Sequence, residues 1–404
     1  MSKPEARSPL IAAFRDATWF DATRARAYCI ILAAVSAAVT IGYLALSKNG
    51  LDPMGKPIGT DFASFWTASQ LALEGRPAEA WSMARHGAAQ AAKFGKDAGY
   101  AAFFYPPPYL LVCLPLALMP YLAALVVWLA VTGAAWLRML RGWITAAGAP
   151  GLGLLPLLAF PAVMINAGHG QNGFLTAALM GGGALLQPTR PWLAGMLFGC
   201  LIIKPHFGLL LPFYLLFARD WRCIVATGVT AALVCLAALG AFGWPVWAAF
   251  FANADNAAAV LSHNTVGYHK MQSVFAAARL LGAPQALAMT LQVATTLGVI
   301  ALLFRQRQTG TPLANAAALC TGALLATPFV LDYDLTLLAV PLVWLYAETQ
   351  RTGFLPWERL LLGLGYLLPL FSRTLATFYL PVAPLLLMAL LLAIVRRARA
   401  APVT

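Results

Sequence analysis

One carboxylate stands out in the stretch GTDFASFW, residues 59–66. Asp61 lies among small and aromatic residues, shortly after a long apolar segment. A carboxylate in such a setting is suited to accept a proton from a hydroxyl group as that group reacts. The same residue has a structural alternative, because an aspartate placed directly before a helix that begins at Phe62 can cap it by accepting a backbone N–H.

An ammonium group inside an apolar run is the second such feature. Lys204 lies between Ile203 and Pro205 in the run LAGMLFGCLIIKPHFGLLLPFYLL. A charge in apolar surroundings is costly and usually marks a function, and a lysine is suited to bind a phosphate. His206 follows two residues later and is a candidate for the same role.

Further polar motifs separate the apolar runs. His169, Gln171 and Asn172 in GHGQNG can hydrogen-bond a sugar or a phosphate, or alternatively satisfy the backbone of a tight glycine turn. Asp332 and Asp334 alternatively lie at the start of a helix, where the helix dipole stabilises acidic side chains. Arg373 alternatively extends its charge to the membrane interface. The remaining candidates for contacts with a ligand are Asp332, Asp334, His263, His269, Lys270, Arg373 and Tyr105.

These residues have to be positioned by membrane helices. Hydrophobic residues make up 61% of the 404 residues and charged residues only 10%, whereas a soluble domain has about 25% charged residues. The apolar runs are longer than strands and do not alternate, which predicts helices and not a barrel. The net charge of +13 does not indicate nucleic-acid binding, because most basic residues lie at the ends of apolar runs.

The distribution of lysine and arginine predicts the topology. With the N-terminus inside, 17 of the 27 basic residues fall on the cytoplasmic side, as the positive-inside rule expects. About twelve crossings result, several of them shorter than the roughly 20 residues of a plain span. The stretch 105–140 counts as one net crossing, either a broken helix or a helix with a re-entrant piece. All the polar motifs named above then lie on the outer face.

The predicted organisation is a single transmembrane domain at residues 25–395. A cytoplasmic N-terminal segment, 1–24, precedes it, and a cytoplasmic tail, 396–404, follows. A first outer loop with amphipathic helices is predicted at 47–104 and a second outer loop at 243–285. The six cysteines lie within or beside apolar runs, so we interpret them as small core residues and not as disulfides.

The order of the motifs resembles a known family. GTDFASFWTASQLALEGRPAEAW is followed by FFYPPPYLLVCLPLALMP, GHGQNGFLTAALMGGGALL, the lysine-containing run and ATPFVLDYDLTLLAVPL. Over residues 59–342 this order is similar to glycosyltransferase family 87, whose members include mycobacterial phosphatidylinositol-mannoside mannosyltransferases. The resemblance implies an all-α polytopic membrane protein with the GT-C glycosyltransferase fold.

The resemblance also implies an activity. Family members transfer a sugar, typically mannose, from a polyprenyl-phosphate donor to a hydroxyl group at the outer face of the membrane, with inversion at the sugar. Asp61 occupies the position of the acidic residue in the first outer loop, whose implied role is general base. Neither a metal nor another cofactor is expected, and the partners would be the lipid-linked donor, an unidentified acceptor and membrane lipids. The alanine-, proline- and arginine-rich composition suggests a GC-rich bacterial genome. Together with the predicted topology, this places the expected protein in a bacterial inner membrane with its site facing the periplasm.

Two other classes of protein remain as alternatives. A transporter or flippase of lipid-linked sugars would need an apolar groove for the lipid and the same cations, but no base. Its polar groups should also occur at mid-membrane and on the cytoplasmic face. A polymerase or ligase of surface polysaccharide typically has outer loops rich in arginine. Outer arginines are few here, namely Arg76, Arg85, Arg279 and Arg373.

Overall fold

The structure is a computed structural model and describes residues 9–400, except for the side chains of residues 9, 257–258, 260–261 and 400. The first eight and the last four residues, which belong to the predicted segments 1–24 and 396–404, lie outside the described residues. Within the described range the chain forms helices and no strand, apart from isolated bridges such as that between Met271 and Leu331. The all-α prediction is therefore confirmed for these residues.

The helices follow one another with short connections. The α-helices are α1 Pro9–Asp16, α2 Ala22–Leu46, α3 Phe62–Leu73, α4 Met83–Phe94, α5 Pro107–Cys113, α6 Tyr121–Ala147, α7 Leu154–Leu158, α8 Pro161–His169, α9 Gly173–Leu186, α10 Pro191–Cys200, α11 Leu211–Ala218, α12 Trp221–Phe242, α13 Trp244–Ala252, α14 Ala254–Ser262, α15 Val274–Leu280, α16 Gln285–Thr309, α17 Pro312–Ala326, α18 Ala339–Thr352, α19 Glu358–Thr377 and α20 Ala383–Ala400. Short 3-10 helices lie at Pro77–Trp81, Lys96–Ala98, Leu114–Leu118, Leu201–Ile203, Pro205–Gly208, Tyr268–Lys270 and Asp332–Leu338.

Five of these helices are long and apolar enough to cross a membrane, namely α2, α6, α12, α16 and α19. The chain is thus a membrane protein, while the number of twelve crossings stays a prediction. In α2 no side chain is buried, which suits a helix whose sides face lipid. Shorter apolar helices, including α9 and α17, pack inside the bundle, where protein and not lipid surrounds their broken ends.

The ambiguous stretch 105–140 divides at Pro120. The short helix α5 and the 3-10 helix after it end at Met119, whose carbonyl oxygen accepts from the Trp66 indole of α3. α6 then begins at Tyr121 and runs for 27 residues, enough to cross a membrane without α5. The structure therefore favours one full crossing preceded by a short piece over one broken crossing.

The core centres on α17. Every residue from Ala314 to Ala326 is buried, and most of these side chains are small. Small residues let helix backbones approach closely in membrane proteins. The same device joins α10 to α12, because a Cβ at Gly195 would lie 2.5 Å from the Cβ of Ala226. Helices α9 and α18, together with the 3-10 helix Asp332–Leu338, pack against α17 and are thereby held in place.

Candidate active site

Two glycine-containing turns place Asp61 against the segment that follows α8. Gly59 and Gly170 adopt left-handed backbone conformations, with φ of +76° and +60°. A Cβ at Gly170 would lie 2.6 Å from the Cβ of Phe62, so the two turns fit together only without that side chain. The backbone N–H of Asp61 donates to the carbonyl oxygen of His169 at 3.2 Å.

The carboxylate of Asp61 does not cap α3, although it directly precedes that helix. Asp61 has a helical backbone conformation and makes no side-chain cap bond. Its Oδ2 accepts instead from Nε2 of Gln171 at 2.9 Å. No described residue donates to Oδ1, and the side chain is half-buried. The capping alternative is therefore not the arrangement observed, and one carboxylate oxygen is left for another group.

Gln171 connects Asp61 to its surroundings. Its Oε1 accepts from the hydroxyl of Tyr105 and from the backbone N–H of Asn172, each at 3.1 Å. Nδ1 of His169 lies 2.9 Å from the hydroxyl oxygen of Thr60. Gln171 itself is buried, so its amide is fixed on both sides. A side chain held in this way orients the carboxylate that it contacts.

Lys204 lies deeper and has a charged partner. Its Nζ is 2.5 Å from Oδ1 of Asp334 and 3.3 Å from Oδ1 of Asn172. Only 2% of Lys204 and 1% of Asp334 is exposed to solvent. The rings of Phe207 and Tyr333 each have their centroids 5.1 Å from Nζ. The lysine is therefore neutralised and enclosed, as a buried charge in apolar surroundings requires.

Cationic side chains that are more accessible than Lys204 lie beside Asp332. Arg373 of α19 pairs with Asp332 at 3.3 Å, and the arginine side chain is 37% exposed. Burial lowers the pKa of His269, and the positive charges of Arg373 and Lys270 lower it further, while Asp332 opposes them. Helix α19 also packs against the 3-10 helix Tyr268–Lys270, so these side chains form one group: Arg373, His269, Lys270 and the paired Asp332. We call it the outer cation cluster, after the predicted topology.

Of the two other candidates, His206 lies beside Lys204, since both contact the ring of Phe207, whereas His263 lies apart from these groups. His206 is half-buried between the rings of Phe207 and Phe329, and its Nε2 has no hydrogen-bond partner among the described residues. His263 is exposed at the end of α14, where its Nδ1 lies 3.3 Å from the hydroxyl of Ser262. The contacts of His263 do not connect it with Asp61 or with the outer cation cluster.

The structure also adds residues that sequence reasoning did not select. Thr60 contacts His169, and Tyr333 packs between His169 and Lys204. In the sequence, only their positions next to selected residues could have indicated them, since Thr60 precedes Asp61 and Tyr333 separates Asp332 from Asp334. Neither has a residue type that is distinctive in a membrane protein.

Comparison with known families decides the class of protein. The family model described as glycosyltransferase family 87 matches residues 103–331, over half of the 404-residue chain. The chain belongs to glycosyltransferase family 87. No curated protein and no solved structure matches it.

Membership of glycosyltransferase family 87 gives the protein its chemical class, which is transfer of a sugar. The matched region contains the Gln171 and Lys204 motifs together with His269 and Lys270. Asp61 precedes it, and Asp332, Asp334 and Arg373 follow it, so the match is shorter than the predicted resemblance over 59–342. The link between Asp61 and the family region is therefore structural, through its hydrogen bond with Gln171.

Proposed function

We propose that this family 87 protein is an inverting glycosyltransferase that uses a polyprenyl-phosphate sugar at the outer face of the membrane. The donor sugar would be mannose, the usual sugar of the family, and the acceptor would be a hydroxyl group. One observation carries the proposal: Gln171 fixes one oxygen of the Asp61 carboxylate and leaves Oδ1 without a donor among the described residues.

Asp61 would act as the general base. An acceptor hydroxyl bound at Oδ1 would lose its proton to the carboxylate while its oxygen attacks the anomeric carbon. The bond from that carbon to the phosphate oxygen breaks on the opposite side, so the configuration inverts. His169, half-buried and bonded to Thr60, would contact the sugar or the acceptor nearby.

The leaving lipid phosphate needs positive charge close to its developing negative charge. Sequence reasoning placed Lys204 first for this role, with His206, His269, Lys270 or Arg373 assisting. The geometry supports the outer cation cluster more strongly, because Arg373 is 37% exposed while Lys204 is enclosed by Asp334 and Asn172. Lys204 would instead support the site from below by fixing Asn172, the neighbour of Gln171.

The polyprenyl chain requires an apolar groove. A cavity of about 390 Å³ lies between α10, α11 and α12, with Pro205 and Gly208 near one end and Leu216 and Ile224 near the other. Its lining is almost wholly apolar, apart from Thr227. Ile202 and Pro205, on either side of Lys204 in the sequence, both line the cavity, so a lipid chain in it would lie close to the segment that contains Lys204. This arrangement is consistent with a lipid-linked donor.

The decisive experiment is a transfer assay with the full-length protein in nanodiscs. Polyprenyl-phosphate mannose is added together with a bacterial lipid extract, and mass spectrometry follows donor loss and new glycolipid. We expect a product heavier by one hexose in the wild type. The variant Asp61→Asn should bind donor with unchanged affinity and turn over about 10²–10⁴-fold more slowly, the typical contribution of a general base.

Three other results of this assay would change the proposal. Donor that binds but is never consumed, whatever the extract, would favour the transporter. Substantial turnover by Asp61→Asn would show that another group is the base. Transfer from a polyprenyl-phosphate sugar other than mannose would retain the mechanism and change only the sugar.

A further inference from the structure

A second charged site lies at the opposite end of the bundle. A cavity of about 520 Å³ opens between α16 and α20, lined by Leu302, Arg305, Leu392, Val395, Arg396 and Arg399. Near the other end of α16, Gln292 contacts the backbone of Phe275 in α15, the helix that follows the outer cation cluster. From Gln292 to Arg305 the helix rises about 20 Å. The cavity is therefore well separated from the candidate active site.

The charges in this cavity are not balanced by the protein. Arg305 and Arg399 have no carboxylate within ion-pair distance among the described residues. Arg396 donates to the carbonyl oxygen of Pro356 and lies 3.7 Å from Glu358, which is already paired with Arg397. No acidic residue lines the cavity. Three guanidinium groups around one space form an anion site, because each can bind phosphate oxygens through two parallel N–H donors.

The other half of the lining indicates a lipid. Leu302, Leu392 and Val395 are aliphatic, and they precede the arginines along their helices. An anion held by the arginines would thus have apolar surface on its membrane side. Basic pockets between transmembrane helices on the cytoplasmic side bind lipid headgroups, and the positive-inside count places these helix ends on that side.

The positive-inside rule alone does not account for this arrangement. That rule requires arginines at helix ends, but not their convergence on one cavity from helices about ninety residues apart in the sequence. Arg138 and Arg141 provide the comparison: they are exposed near the end of α6 with the same spacing as Arg396 and Arg399, and they line no described cavity.

We propose that the cavity between α16 and α20 binds the phosphodiester headgroup of an anionic phospholipid. The arginines hold the phosphate, while the aliphatic residues contact the upper part of the acyl chains. This site is separate from the donor groove and does not depend on the proposed transferase activity.

The test is native mass spectrometry of the full-length protein in detergent, titrated with phosphatidylglycerol, with phosphatidylcholine and with inorganic phosphate. The test variant combines Arg305→Gln with Arg399→Gln and leaves Arg396 and its contacts intact. The control variant combines Arg138→Gln with Arg141→Gln, which removes the same charge from another helix end. Thermal unfolding without added lipid verifies that both variants are folded.

We expect the wild type and the control to retain phosphatidylglycerol selectively over phosphatidylcholine. The test variant should bind it roughly thirtyfold more weakly, since each basic residue near an anionic surface contributes about fivefold. Equal affinity in the test and control variants would overturn the proposal. Retention of inorganic phosphate in place of the lipid would also overturn it and would indicate a site for a soluble anion.

Discussion

The side-chain amide of Gln171 donates to the carboxylate of Asp61 at 2.9 Å, across 110 residues of sequence. This bond joins the first predicted outer loop to the turn between α8 and α9. Through the neighbouring Asn172 it also connects with the buried ion pair of Lys204 and Asp334. The motifs around Asp61, Gln171 and Lys204 are therefore connected by one hydrogen-bond network.

Gln171 should act on turnover and not on donor affinity. In Gln171→Met the side chain keeps its length but loses its bonds to Asp61 and Tyr105. We expect kcat to fall about 10- to 100-fold, because a hydrogen bond to a charged group contributes about 1.5–3 kcal/mol. The donor Kd should remain close to that of the wild type. Steady-state kinetics and donor titration would separate the two effects, and an unchanged kcat would exclude the positioning role.

Sequence reasoning could identify the polar motifs because ionisable groups are rare between apolar runs. It could not identify their partners. Lys204 and Asp334 are separated by 130 residues, and their meeting depends on how the break at Lys204, between two 3-10 helices, packs against the 3-10 helix Asp332–Leu338. A sequence pattern has no information on such packing. For the same reason the sequence gives no sign that Asp334 and Asn172 enclose Lys204, and its role toward the donor phosphate stays a prediction.

The fold was predictable where length and composition decide it. α2 begins at Ala22 and ends at Leu46, close to the predicted span at 25–46. An uninterrupted apolar run of this length forms a single spanning helix, so its bounds follow from the sequence. The stretch 105–140 is ambiguous in the sequence, because its prolines mark helix breaks but do not show whether the chain continues across the membrane or turns back. Its resolution depends on tertiary contacts, such as the bond from Tyr121 to the carbonyl oxygen of Ile58.

The ion pair of Lys204 and Asp334 should behave as a unit. Lys204→Met leaves a buried carboxylate unpaired and should lower the free energy of unfolding by about 3–5 kcal/mol. Asp334→Asn leaves a buried ammonium group and should cost a similar amount. The double variant removes both charges, so its loss should be clearly smaller than the sum of the two. Thermal unfolding in detergent measures all three, and additive losses would contradict the pairing.

Gly173 should tolerate no side chain, whereas Gly168 in the same GHGQNG motif should. A Cβ at Gly173 would lie 2.5 Å from the carbonyl oxygen of Tyr333 and 2.5 Å from Oδ1 of Asn166. Gly173→Ala should therefore destabilise the protein by about 1–3 kcal/mol and reduce turnover by displacing the segment that contains Asp332 and Asp334. A Cβ at Gly168 has no neighbour within 4 Å, and alanine there should be neutral or stabilise α8 by up to about 1 kcal/mol. Equal melting temperatures of the two variants would show that this contact is not restrictive.

Because the outer cation cluster contains His269, we expect the donor to bind more tightly as the pH falls. Burial and the charges of Arg373 and Lys270 keep the pKa of His269 below its ordinary value, so the imidazole is neutral at pH 7. A bound phosphodiester stays anionic throughout this range and favours the protonated imidazole, so the complex takes up a proton as the pH falls. By linkage, the donor Kd should therefore decrease from pH 7.5 toward pH 5 in the wild type. His269→Gln should abolish that dependence while leaving affinity at pH 7.5 little changed.

His263→Gln is the matched control, because His263 is an exposed histidine of the same predicted loop, and it should keep the wild-type pH profile. Donor titration by microscale thermophoresis at each pH would decide the matter, and identical profiles for the wild type and His269→Gln would remove His269 from the donor site.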